Sequence, residues 1–251
     1  MKGKNSSTKN SFSLFIALLF VYVLLFEFIL PVNKILPRPS LFFDSFVHIW
    51  RDYNLTSAFT ITTSVVYLSL IISFIVVFAA ISLLFKIFIE LEGTILSLRL
   101  FRYLPAFFFA IIFNFWFSEK LFAEFVFASL AAIFFSIQKL FEESKNVKEE
   151  YILVARNLGL TPSDIYEKVY WKSAQPTLIK YYERIHYCLW GIVLIFEFIG
   201  NSNGFGYIYR VALSYKDYTA LFTFAIIISL IIWFGNFLIR VINKKLIHWT
   251  P

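Results

Sequence analysis

His48, His186 and His248 are scattered along the chain, and no nucleophile–base pair or set of metal ligands can be assembled from that spacing. No Ser-x-x-Lys or His-Glu-x-x-His pattern occurs, and no Gly-x-x-x-x-Gly-Lys-Ser/Thr loop is present to cradle a phosphate. Cys188 is the only cysteine and can form no internal disulfide. The chain therefore reads as catalytically silent, without a cofactor or metal of its own. The residues left with chemical interest are carboxylates set in apolar surroundings, Glu27, Glu124 and Glu197, and the turn that follows the last of them, Gly204, Gly206 and Tyr207. A carboxylate on a membrane helix faces the bundle interior or a water path. Glu27 and Glu197 stand near the ends of apolar runs, where a carboxylate reaches water, and with Gly204, Gly206 and Tyr207 they are candidate pathway residues.

The elements that must position these groups follow from composition. Of 251 residues, 59% are hydrophobic and only 16% charged, with 33 Phe, far more apolar than a soluble domain. Runs of roughly 18 apolar residues or more, enough to cross hydrocarbon, recur in "FSLFIALLFVYVLLFEFIL", "ITTSVVYLSLIISFIVVFAAISLLF" and "YTALFTFAIIISLIIWFGNFLI". Three shorter apolar cores, 105–117, 121–137 and 185–199, are flanked by charge and need protein around them. The expectation is an all-α polytopic membrane protein with six spans near 12–31, 57–85, 102–118, 121–138, 182–200 and 218–240. A transmembrane domain over 12–245 then lies between a polar tail, 1–11, and a short tail, 246–251. The first run exceeds the roughly 7–15 residues of a signal core and no Ala-x-Ala site follows it, so it is expected to stay in the mature chain.

Lysine and arginine counted loop by loop set the orientation. With the N-terminus in the cytoplasm, 17 fall inside and 6 outside, the latter being Lys34, Arg38, Arg51, Lys120, Arg210 and Lys216. Both termini are expected to be cytoplasmic. The net charge of +7 thus reflects topology, and without a basic soluble domain nucleic-acid binding is excluded. After the first span, three prolines within 31–39 lead into a segment whose Leu41, Phe42, Phe46 and Ile49 share a helical face, expected to lie on the outer membrane surface. "FKIFIELEGTILSLRLFRYLP" is expected to return along the inner surface. In the fourth span Glu124, Ala128, Ala132 and Ser136 recur at four-residue spacing, a seam that lets helix backbones approach. Thr60, Thr63, Ser64 and Ser73 of the second span either line a polar path or bond back to their own helix.

The loop over 145–175 is the longest and most charged. Val147, Tyr151, Val154, Ala155 and Leu158 recur at helical spacing, and Gly159 suits a left-handed C-terminal cap. Thr161 is an N-cap, Pro162 fits the first helical position and Asp164 completes a capping-box pattern, with Ile165 and Val169 as the apolar stripe of a second helix. Two capped helices meeting at a tight turn form a feature built to be gripped.

These residues resemble the membrane-spanning subunits of ATP-binding cassette importers, in particular the nitrate, sulfonate and taurine class. That family carries Glu-Ala-Ala, three residues, Gly, nine residues, an aliphatic residue, one residue, then Leu-Pro. Here Leu153, Val154 and Ala155 hold the first three places, Gly159 the glycine and Val169 the aliphatic place, while Trp171 and Lys172 replace Leu-Pro. "LPRPS", "RYLPAFFFAIIFNFWF", "NVKEEYILVARNLG" and "EFIGNSNGFGYI" resemble further landmarks in the family's order, over roughly residues 25–212. The resemblance implies a type I importer permease (MetI-like) fold in a bacterial inner membrane. It implies a second permease subunit, a homodimer being favoured, cytoplasmic ATPase subunits that bind the ATP, and an extracytoplasmic solute-binding protein. Ala155, Gly159, Thr161, Pro162, Asp164 and Ile165 would form the ATPase-coupling contact. The alternative is a membrane scaffold or assembly protein whose hairpin binds a different partner.

Overall fold

In the computed structural model, residues 4–30, 36–90, 105–200 and 202–246 are described, and among them every regular element is a helix. The inner-surface return over 91–104, the first residues of the third expected span, Lys34, Asn201, residues 1–3 and residues 247–251 lie outside the described residues. The elements are α1 (Lys4–Val23), continued by a π-helical turn Leu24–Ile29, then α2 (Pro39–Asp52), α3 (Leu55–Ala79), α4 (Ile81–Glu90), α5 (Ala106–Trp116) and α6 (Lys120–Ser144). They continue as α7 (Glu149–Asn157), α8 (Pro162–Ile165), a π-helical turn Tyr166–Tyr170, α9 (Trp171–Gly200), α10 (Phe205–Ser214) and α11 (Tyr218–Leu246). Helix begins at Lys4, so most of the expected polar tail is the first turns of α1.

Leu55–Ala79, Lys120–Ser144 and Tyr218–Lys245 are each long and apolar enough to cross a membrane. The path Pro162–Gly200 with Phe205–Ser214 adds a fourth when its broken pair is taken as one span. Ile16–Ile29 and Ala106–Trp116 are apolar but shorter. The second expected span is divided at Ala80, where α3 gives way to α4.

Two compact units make up the chain, Met1–Thr56 with Tyr209–Ser229, and Ser57–Ile208 with Leu230–Pro251. In the first, the π-helical turn sets Glu27 at the start of α2, where its carboxylate accepts the N–H of Ser40 at 3.2 Å. A negative charge is stabilising there, because the first N–H groups of a helix have no intrahelical partner. Tyr22 Oη donates to the Pro37 carbonyl at 2.7 Å, and Tyr53 Oη donates to Asp217 at 3.0 Å, its ring edge-on to Phe224 at 5.6 Å. Burial and then Asp217 push the Tyr53 phenol up to about 12. On α2 only Ile49 is buried, while Leu41, Phe43, Phe46, Val47 and Trp50 are exposed, an outward apolar face.

The second unit is organised by α9, which packs along α6 and α5. Ala110, Ala123, Phe127, Ile192 and Phe196 form its apolar core. The α6 seam is inside: Glu124, Ala128, Ala132 and Ser136 are all fully buried. Hydroxyls cross-link the helices. Ser129 Oγ donates to Ser69 Oγ at 3.2 Å, Ser136 Oγ donates to Tyr182 Oη at 3.2 Å, and Tyr182 Oη lies 3.3 Å from Ser73 Oγ. His186 bridges Asn236 at 2.8 Å and the Trp190 indole N–H at 2.9 Å, tying α9 to α11.

The seam makes a quantitative expectation. Ala132→Leu forces added methylenes into a filled contact and should destabilise the chain by about 1–3 kcal/mol, whereas Leu130→Ala, at a position 50% exposed, should change little. Thermal unfolding of the purified full chain in mild detergent checks this, and an Ala132→Leu variant that melts with the parent would show the seam to be loosely packed.

Candidate functional site

The hairpin between α7 and α9 is built from its caps. At the end of α7 the Leu160 N–H donates to the Ala155 carbonyl at 3.1 Å and the Gly159 N–H to the Arg156 carbonyl at 2.9 Å, with Gly159 at φ 76°. This paired arrangement satisfies the last carbonyls of a helix and needs a residue that tolerates the left-handed region. Two residues later the chain restarts. Thr161 Oγ1 accepts the Asp164 N–H at 3.3 Å and donates to Asp164 Oδ2 at 2.5 Å, while the Thr161 N–H reaches the same carboxylate at 3.4 Å. Lys168 Nζ closes on Asp164 Oδ1 at 2.6 Å. Lys168 and then Thr161 hold the Asp164 carboxyl down to about 2, below its ordinary 3.8.

The hairpin is bolted to its surroundings through the π-helical turn. Ser82 Oγ of α4 donates to Glu167 at 2.7 Å, and the Phe85 ring lies 5.5 Å from Tyr170. Trp171, one of the residues standing where the family has Leu-Pro, is buried against Phe78 at 5.7 Å. Ile89, Ile152, Arg156, Leu160 and Ile165 line a shallow cleft beside it. The second helix of the hairpin does not stop before the span. Pro162–Gly200 is one helical path, so the loop expected over 145–175 and the span expected over 182–200 share a rod, about 58 Å long at 1.5 Å per residue.

Ala155 and Ile165 are buried, whereas Gly159, Thr161 and Pro162 are exposed. The apolar stripe of α7 faces outward: Tyr151 is 53% exposed, Val154 57% and Leu158 75%. Apolar side chains at helical spacing on a capped, rigid hairpin make a surface suited to burial against a partner.

At the far end of α9 the structure gathers a second set. Glu197 is fully buried, and its carboxylate accepts the Thr62 hydroxyl at 2.6 Å and the Gly206 N–H at 2.7 Å. Thr62 Oγ1 in turn accepts the Phe205 N–H at 3.0 Å. The first amides of α10 are thereby satisfied by one carboxylate and one hydroxyl. A Cβ on Gly204 would overlap the Glu197 carboxylate, and one on Gly206 would overlap the Leu194 carbonyl. Close approach, not a left-handed backbone, is what these two glycines supply. Tyr207 sits half-buried on α10. Glu27 caps α2 instead and takes no part in this cluster.

Glu124, also fully buried, lies beside Glu197 and Ser202. Thr62, the partner of Glu197, and Ser202, beside Glu124, were not singled out in the sequence. The signal was present: Thr62, Ser69 and Ser73 are spaced at seven and four residues, one face of α3, and all three are fully buried. Of the hydroxyls that the sequence did single out, Thr63 bonds back to the Phe59 carbonyl at 2.5 Å, and Ser73 bonds back to Leu70 at 2.9 Å while also meeting Tyr182.

A family model, the binding-protein-dependent transport system inner membrane component, matches residues 96–248. Comparison with curated proteins and with solved structures gave no significant match. The matched region contains the capped hairpin, the long rod and, of the Glu197 cluster, every member but Thr62, and it accounts for more than half of the chain. This multi-pass, all-helical chain therefore belongs to the family of inner membrane permease components of binding-protein-dependent, ATP-binding cassette transport systems.

Proposed function

We propose that the chain is the permease subunit of an importer for a small solute of the nitrate, sulfonate or taurine class. In this reading two copies form the translocation pathway, six helical segments cross the bacterial inner membrane in each, and both termini are cytoplasmic. Ile16–Ile29 and Ala106–Trp116, short for a crossing, are accommodated where protein surrounds them. An extracytoplasmic binding protein delivers the solute. ATP is bound and hydrolysed by a separate subunit, and the permease performs no catalysis.

The observation that carries the reading is the hairpin: an outward apolar stripe, Tyr151, Val154 and Leu158, on a helix pair capped at both facing ends and continuous with a span. Docked into a cleft of the ATPase, Gly159, Thr161, Pro162 and Asp164 form the coupling contact, while Ala155 and Ile165, buried beneath it, hold the two helices of the hairpin in place. ATP-driven closure of the ATPase pair would move the hairpin, and the rod Pro162–Gly200 would carry that displacement into the membrane as a rigid-body change. The solute class rests on the sequence resemblance and on the polar turn that follows Glu197.

Purification of the tagged full chain from its native membrane in mild detergent should recover an ATPase in near-equal amount. Gly159→Val places a β-branched side chain at φ 76°, a conformation such residues adopt only under strain. It should leave the chain in the membrane while lowering solute uptake at least about tenfold, the effect of roughly 1.4 kcal/mol lost from docking. Uptake at the parent rate with normal assembly would overturn the coupling role, and recovery of the chain with a non-ATPase partner would support a scaffold.

The cap gives an independent test of hairpin order. Thr161→Ala should speed exchange of the Asp164 and Ile165 amides, both bonded to Thr161, about fivefold, the size of an N-cap worth about 1 kcal/mol. Asp164 is depressed in the folded chain, so its contribution is complete above its ordinary 3.8 and disappears as pH falls toward about 2. Exchange monitored by mass spectrometry, corrected for intrinsic rates, should therefore show local protection that is flat above about pH 4 and declines below it. A decline centred near neutral pH would mean another group controls the hairpin.

A further inference from the structure

In the second unit, α9 and the last turns of α11 are joined by side chains. Glu183 accepts Arg240 Nε and Asn243 Nδ2, each at 3.4 Å, and three residues on His186 meets Asn236 at 2.8 Å. Numbers that rise on one helix fall on the other, so the pair is antiparallel. Tyr67 of α3 stacks on His186 at 5.4 Å, and a Cβ on Gly235 would overlap the Tyr67 hydroxyl, so α3 closes one side of this seam. The other side is open. There Lys180 and Arg184 on α9, and Trp233, Phe237, Arg240 and Lys244 on α11, form two stripes at three- and four-residue spacing, one along each helix. All six are exposed.

The open side is graded along its length. Antiparallel pairing sets Lys180 and Arg184 level with Lys244 and Arg240, while Trp233 and Phe237 lie further into the apolar run of α11. These two rings stack at 6.3 Å and are 67% and 50% exposed. Four cations thus converge from two helices against a single acid, since Glu183 is the one carboxylate on either helix apart from Glu197 at the far end of α9. Among the described residues, Lys180, Arg184 and Lys244 make no ion pair. Cations at the end of a membrane span are ordinary, but four on one open seam above stacked rings match a molecule with an anionic head and apolar chains. A second copy seated here about a two-fold axis would set the same cations against themselves. A soluble acidic partner would leave Trp233 and Phe237 uncovered. Basic pockets between membrane helices are a setting for anionic lipid headgroups.

We propose that the open seam between α9 and α11 binds one anionic phospholipid, its phosphate held by Lys180, Arg184, Arg240 and Lys244 and its acyl chains laid over Phe237 and Trp233. The bound lipid bridges the long rod and the last span. The site stands apart from the hairpin and does not depend on the importer reading.

The test uses the full chain, stripped of lipid in mild detergent and offered phosphatidylglycerol and phosphatidylcholine of the same acyl chains in equal amounts, with retained lipids counted by native mass spectrometry. The parent should hold one phosphatidylglycerol with a preference of at least about tenfold. Each cation beside an anionic headgroup contributes about fivefold. Arg184→Gln combined with Lys244→Gln should therefore lower phosphatidylglycerol retention about 25-fold and leave phosphatidylcholine retention as it is. Lys245→Gln removes the same charge one residue away, on another face of α11, and should keep the parent's preference. Trp233→Ala acts on the chains and should weaken retention of both lipids alike. Equal retention of the two lipids by the parent, or a loss in Lys245→Gln as large as that at 184 and 244, would overturn the proposal. So would variants at 184 and 244 that change the proportion of dimer and not the retention of lipid, which would assign the seam to a second copy.

Discussion

The buried carboxylate of Glu197 is the constraint on which the second unit depends. A membrane helix that breaks must find partners for the amides and carbonyls released at the break, since hydrocarbon supplies none. Here α9 ends at Gly200 and α10 begins at Phe205, and the Phe205 and Gly206 amides are met by Thr62 and Glu197. The price is spatial. Gly204 and Gly206 must lack side chains so that the turn can close over the carboxylate. Thr62 must present a hydroxyl from α3 at the same level, because a methyl group there would leave the Phe205 amide unpaired at about 1–3 kcal/mol. Three separated stretches of sequence are thus fixed by one side chain.

From that clasp the organisation runs back along α9. Tyr182 touches Ser73 and Ser136, His186 holds Asn236, and Glu183 accepts Arg240 Nε at 3.4 Å. These bonds join α9 to three other helices of the unit, α3, α6 and, twice, α11. Hydrogen bonds in such surroundings add modestly to stability, but they fix register where apolar contacts alone permit sliding. Small residues at 128 and 132 on α6 let the backbones approach, and the short hydroxyls at 129 and 136 then reach their partners.

Much of this was legible in the sequence for physical reasons. The turn at Gly159 and the box at Thr161 and Asp164 are local devices, set by residues within a few positions of one another, so their sequence pattern specifies their geometry directly. The α6 seam was legible because four-residue spacing defines a helix face. The Glu124–Glu197 cluster was not, because it joins residues 73 positions apart, and nothing in either local pattern names the other. Glu27 illustrates the same limit. It resembles Glu197 in sequence context, an acid near the end of an apolar run, yet it caps α2 in a different unit. The length of α9 was missed because the charged run between 172 and 184 reads as loop, whereas a long helix leaving the membrane carries those charges on its exposed side. Lys172, Lys180 and Arg184 are all exposed, while Ala174, Leu178 and Tyr182 are buried.

That continuity determines where the second unit can yield. The hairpin is joined to α4 through Ser82 and Phe85, and α9 is joined to α3 and α6 through Tyr182, so the helices on either side are held as blocks. The rod carries two interruptions of its own ladder, the π-helical turn Tyr166–Tyr170, whose Glu167 and Tyr170 make the attachment to α4, and Pro176, which lies between that attachment and Tyr182. Proline removes an amide and crowds the preceding turn, and a π-helical turn shifts the bonding register by one residue. Both features lie within 166–176, next to the hairpin and below the cross-links. A displacement imposed on the hairpin is shared with α4 at the π-helical turn, and what passes beyond Pro176 must move α9 together with α3 and α6, to which Tyr182 is hydrogen-bonded.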